Sequence, residues 1–185
     1  MNNTSLTALG GIITALSVFI MFLAGIIPNL TYVIPAICGL LLIFTIQEAE
    51  LKWSVFIYIA VSLLSLLIVA DKEAVIMYIF FFGYYPIAKD IYERKLTSKA
   101  LCYLVKFVTF NVAIVIGYLL LIYIFMIPIE GMDRLGKWTP LALLGLGNVV
   151  FLIYDWLCTR LIVLYREKYH DRIRRSFGGT RSGRR

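Results

Sequence analysis

Acidic and basic side chains are missing from the beginning of the chain, where no Lys, Arg, Asp or Glu precedes Glu48. An uncharged apolar start of that length finds a poor solvent in water. Histidine occurs once, as His170, so no pair of imidazoles is present to hold a haem, and the HExxH pattern of zinc proteases is absent. There is no GxSxG nucleophile turn, no GxxxxGK[ST] phosphate loop and no cluster of membrane-facing aspartates of the kind that binds metal for lipid transfer. These absences argue against an enzyme, a resident metal and a cofactor, and any ATP hydrolysis would have to be supplied by a partner. Cysteine is scarce and odd in number: Cys38, Cys102 and Cys158 stand far apart inside apolar stretches, which excludes a disulfide framework.

What is abundant is apolar side chain. Of 185 residues, 61% are hydrophobic, and the mean hydropathy is +0.88. One soluble core of this size does not need so much, whereas a bilayer dissolves it. At roughly 20 residues per membrane helix the length accommodates about six spans and no separate soluble domain. Apolar runs place them near residues 6–27, 32–47, 53–70, 74–88, 101–128 and 138–164. The expected fold is all-α, a polytopic helical bundle over 1–165 with a basic, flexible tail over 166–185. The first run is longer than a signal-peptide core and has neither a basic leader nor a small-residue cleavage site, so it reads as a retained helix.

Orientation follows from the basic residues, which are retained on the cytoplasmic side. With both termini inside, thirteen of the eighteen Lys and Arg fall on that side. Lys72, Arg134 and Lys137 fall outside, and Lys106 and Arg160 lie within spans. The expected location is the cell membrane, with N and C termini cytoplasmic. The tail supplies most of the net charge of +7. Its basic residues read as a topology signal and a contact for membrane lipids, not for nucleic acid.

Charges inside the spans need partners or a route to water. Lys106 lies seven residues beyond Lys99, roughly 10 Å deep at the helical rise, and its long stem can snorkel. Asp155 lies eleven residues before Arg166, roughly 16 Å deep, and its short side chain cannot reach the headgroups. If the last two helices form an antiparallel hairpin, Lys106 and Asp155 approach one another and an intramembrane ion pair neutralises both. Arg160 competes, but it sits about 140° around the helix from Asp155, which makes direct contact awkward. Asn111 and Asn148 read first as interhelical hydrogen-bonding residues, and Asn148 also as a polar contact for a ligand. Asn29, Thr31, Tyr32 and Trp138, near the outer ends of the spans, complete the candidate ligand-side set. The run Phe80-Phe81-Phe82-Gly83-Tyr84-Tyr85-Pro86 is denser in aromatics than a membrane-interface belt requires, and suggests a rigid elbow leading into a basic loop from Lys89 to Lys99.

Thr7, Gly11 and Ala15 form a small-residue row, four apart on one face of the first helix, where another helix can approach closely. The row serves either packing within the bundle or docking to a different membrane protein. A six-span chain of this length, with both termini inside and Gly11 and Ala15 in such a row, resembles the substrate-binding S components of energy-coupling factor transporters. The wording FFFGYYPI is similar to bacterial membrane proteins sometimes grouped with them. The resemblance implies a subunit that binds a vitamin, metal ion or similar micronutrient from outside. Such a subunit docks through Gly11 and Ala15 onto a transmembrane coupling subunit driven by ATPases. The outer halves of the spans hold few polar residues, which suits an apolar ligand. The alternative is a non-transport interaction or envelope-assembly protein acting through its basic cytoplasmic surface.

Overall fold

The computed structural model describes residues 3–27, 30–49, 51–124 and 139–168, and these form an all-α bundle without strands. Helix α1 runs Asn3–Ala24, α2 Val33–Glu48 and α3 Leu51–Ile68. A fourth rod follows in three pieces: α4 (Lys72–Met77), a π-helical segment Tyr78–Phe82, and α5 (Tyr84–Lys95). Two long helices complete the bundle, α6 (Lys99–Tyr123) and α7 (Thr139–Lys168). Among the described residues five helical rods are long and apolar enough to cross a membrane, and α2 is a shorter apolar helix. Large apolar side chains such as Phe19, Phe56, Leu67 and Leu152 point outward, more than half exposed. That distribution places the solvent-like apolar phase outside the bundle.

The fourth rod is the axis of the fold. In its most apolar stretch 72% of residues are buried, against 22% in each of the other four long helices. It packs against four helices: α1, α2, α3 and α6 meet α4 or α5, and α2 and α6 also meet the π segment, while side-chain hydrogen bonds join it to α7. This corrects the expected span 74–88, because the rod runs on to Lys95. The stretch from Lys89 to Lys99, expected as a basic loop, is therefore helical except at Leu96, Thr97 and Ser98. The expected elbow is instead a change of helical winding within one rod. Pro86 has no N–H to give the Phe82 carbonyl four residues earlier, and that carbonyl accepts the hydroxyl of Tyr154 at 3.0 Å. The Ile79 carbonyl, inside the π segment, accepts the hydroxyl of Tyr58 at 2.8 Å. Tyrosines from α3 and α7 thus satisfy backbone groups that the interrupted helix releases.

Two glycines permit these approaches. A Cβ on Gly39 of α2 would collide with the Phe82 carbonyl oxygen and the Tyr154 hydroxyl, and would lie 2.7 Å from the Phe82 carbonyl carbon. A Cβ on Gly83 would lie 2.8–2.9 Å from the rings of Tyr78 and Tyr58. Helix ends are closed by local chemistry. Asp71 caps α4 by accepting the Ala74 N–H at 3.0 Å. Lys72 donates to the Leu66 and Val69 carbonyls at the end of α3, both at 2.8 Å.

Candidate functional site

The α1 face that packs inward is Gly10, Ile13, Ser17, Met21 and Ala24, all buried. Gly10 is the small residue that lets α3 approach, since its Cβ would sit 3.3 Å from Ile57 Cδ1. Thr7, Gly11 and Ala15 point away from this face and are exposed, and a Cβ on Gly11 would meet nothing within 4 Å. The small-residue row therefore lies on the outer surface of the bundle, not in the α1–α3 contact.

Four formal charges meet where the fourth rod, α6 and α7 converge. Asp155 Oδ1 accepts from Lys89 Nζ at 2.5 Å, from the Tyr85 hydroxyl at 2.6 Å and from Lys106 Nζ at 3.3 Å. Glu93 Oε1 lies 2.6 Å from Lys106 Nζ and 2.9 Å from Lys89 Nζ. Lys89 also donates to Thr159 Oγ1 at 2.8 Å, and that hydroxyl donates to the Asp155 carbonyl at 2.8 Å. Two lysines and two carboxylates alternate, so the group is neutral, and the three donors of the Lys89 ammonium have three acceptors. Such completeness offsets the desolvation of charges held away from water. Lys89 is 1% exposed, whereas the Glu93 side chain is 43% exposed and opens the cluster toward the Lys95 end of the bundle.

The anticipated Lys106 and Asp155 are together in this cluster, but the shorter contact of Asp155 is to Lys89. Sequence reasoning placed Lys89 in a loop, because the Gly83–Pro86 sequence looked like the end of a helix. Its i,i+4 relation to Glu93, and the same helical face shared with Tyr85, were the signals available. Arg160 takes another course, its guanidinium 5.5 Å from the centre of the Trp156 ring. Asn111 and Asn148 exchange reciprocal amide hydrogen bonds at 3.0 Å, and Asn148 also donates to the Leu144 carbonyl at 2.9 Å.

Toward the opposite end of the bundle the fourth rod, α6 and α7 part around a cleft of about 900 Å³. Phe81 and Phe82 of the π segment, Phe110 and Ile114 of α6, and Leu144 and Gly147 of α7 contribute to its walls. At the end formed by the starts of α2 and α4 the cleft meets Tyr32 and Glu73, and Tyr32 donates its hydroxyl hydrogen to Glu73. Glu73 is the only charged residue lining it among the described residues. Thr31 is half-buried beside Tyr32 and is not part of the lining, nor is Asn148. Asn29 and Trp138 lie outside the described residues.

An aromatic layer separates cleft from charges. Phe81 stands 4.7 Å from Phe110 and 5.8 Å from Tyr85, centre to centre, and Tyr85 stands 5.3 Å from Phe151. Tyr85 thus carries a ring in the layer under the cleft and a hydroxyl on Asp155. The three cysteines are buried and free. Among the described residues no group of three or more His, Cys, Asp or Glu side chains is placed to share a metal ion. No protein-family model, no curated protein and no solved structure matches this chain.

Proposed function

We propose that this protein is the solute-binding membrane subunit of a micronutrient uptake transporter, energised by partner subunits. It resides in the cell membrane with both termini in the cytoplasm. The observation that carries the reading is the cleft of about 900 Å³ between the fourth rod, α6 and α7. That volume lies in the range that holds a small molecule, and its walls are apolar with few polar groups, as ligand sites usually are. In the proposed orientation Tyr32 and Glu73 face outside, so a solute enters from there. The neutral charge cluster lies on the cytoplasmic side of the aromatic layer and holds the three helices together beneath the bound solute.

The second element is the outward row of Thr7, Gly11 and Ala15, a surface suited to a coupling subunit. Gly11→Leu separates docking from folding, because nothing in the bundle stands within 4 Å of the added Cβ. Mass spectrometry of the tagged protein, purified in mild detergent from its own host, is expected to find a transmembrane coupling subunit with its ATPases. The Gly11→Leu protein is expected to lose them at an unchanged unfolding temperature. Their absence from the unsubstituted, folded protein would defeat the transporter reading and favour an interaction or envelope-assembly role.

A further inference from the structure

We infer that the cleft selects a lipophilic cation, a small molecule with an apolar body and a single positively charged head that sits against Glu73. The inference rests on the cleft being a solute site and adds the chemical class of the solute. Glu73 differs from Asp155 and from the other carboxylates of the fourth rod, and from Glu48, which has a hydroxyl from Tyr165 but does not line the cleft. Asp155 and Glu93 share two lysines, Asp90 pairs with Arg94 at 2.8 Å, and Asp71 caps a helix. Glu73 has a hydroxyl from Tyr32 and, among the described residues, no cation. Its neighbour Lys72 is committed to the carbonyls of Leu66 and Val69.

A carboxylate with no cation among the described residues, at the end of an apolar cleft, specifies its occupant by exclusion as well as attraction. An anion meets a like charge there. A sugar or another polyhydroxylated solute would bury its hydroxyls against Phe81, Phe110 and Leu144 without partners. A cation with an apolar body leaves neither fault: the head completes the Tyr32–Glu73 pair and the body covers the aromatic and aliphatic walls. Aromatic faces near the head add attraction for positive charge and none for negative.

Tetraphenylphosphonium and tetraphenylborate, matched in shape and opposite in charge, provide the test. Equilibrium binding of each to the full chain in phosphatidylcholine nanodiscs is measured against empty nanodiscs. The expected result is a preference for the phosphonium of about tenfold, which lies between the values of one charge contact in bulk water and at a protein surface. Glu73→Gln is expected to abolish that preference. Gly147→Leu, which fills the cleft from α7, is expected to weaken both probes. Saturable binding that Gly147→Leu weakens but that ignores probe charge would overturn the cation assignment and leave the solute site standing. So would a preference that survives in Glu73→Gln. No binding of either probe by a protein with an unchanged unfolding temperature would overturn the solute site as well. A co-purifying phospholipid that the phosphonium does not displace would overturn the inference in favour of a lipid occupant.

Discussion

The same three helices behave differently at their two ends. Toward the Lys95 end, the fourth rod, α6 and α7 are joined by an alternating set of four charges in which Lys89 is 1% exposed. Toward the Tyr32 end they part around about 900 Å³, and among the described residues the carboxylate there has no ammonium to meet it. Polar groups removed from water must be satisfied by one another or by something added later. The first end is complete without a ligand, whereas the second has unfilled space and a charge unmatched among the described residues. The proposed binding role would use both, one end to keep the helices together and one to admit a solute.

The largest effect should come from unbalancing the packed end. Asp155→Ala leaves two ammonium groups facing one carboxylate, and is expected to lower stability by about 3–5 kcal/mol, read as thermal unfolding in detergent. Lys89→Met combined with Asp155→Leu removes a matched pair and should restore most of that loss. If the single and double variants unfold alike, the charge cluster does not hold the helices.

The next contrast compares two glycines. Gly39→Ala drives a methyl group into the Phe82 carbonyl and the Tyr154 hydroxyl, with an expected loss of about 3 kcal/mol. At Gly147, beside the cleft, the added methyl group would meet Phe110 Cζ at an ordinary 3.7 Å. Gly147→Ala should therefore be neutral or gain up to about 1 kcal/mol from helix propensity. Equal losses at both positions would mean that the cleft is as tightly packed as the rest of the bundle.

Tyr154→Phe tests the support of the rod itself. It deprives the Phe82 carbonyl of its hydroxyl donor, and should cost about 1–3 kcal/mol. A variant as stable as the original would show that the interrupted rod needs no help from α7. The smallest effect is expected at the amide pair. A double-mutant cycle on Asn111→Ala and Asn148→Ala should report a coupling of about 0.6 kcal/mol, and zero coupling would make the reciprocal amide contact energetically silent.

Much of the architecture was legible in the residues, because the bilayer imposes one simple demand, a long apolar run for each crossing. Five of the six expected runs correspond to long apolar helices, and the remaining one, near 32–47, to the shorter α2. The error lay in the fourth. Gly83 and Pro86 are usually read as a helix end, but here the released carbonyls find Tyr58 and Tyr154 on other helices. Because the rod continues, Lys89 and Glu93 enter the bundle rather than a loop. The same mistake hid the main partner of Asp155. On α1, a row of small residues was visible in the sequence, but Gly10, one position away from Gly11, is the residue that faces α3.

Composition and spacing by themselves determined an all-α bundle suited to a membrane, with a deep carboxylate in need of a cation. They did so because hydropathy and the cost of intramembrane charge are properties of residues in order along the chain. Only tertiary packing decided which ammonium comes closest to Asp155, which face of α1 turns inward, and that Glu73 borders a cleft. Each of these depends on groups that are distant in sequence arriving at the same depth and on facing sides of different helices. Local periodicity does not specify that meeting.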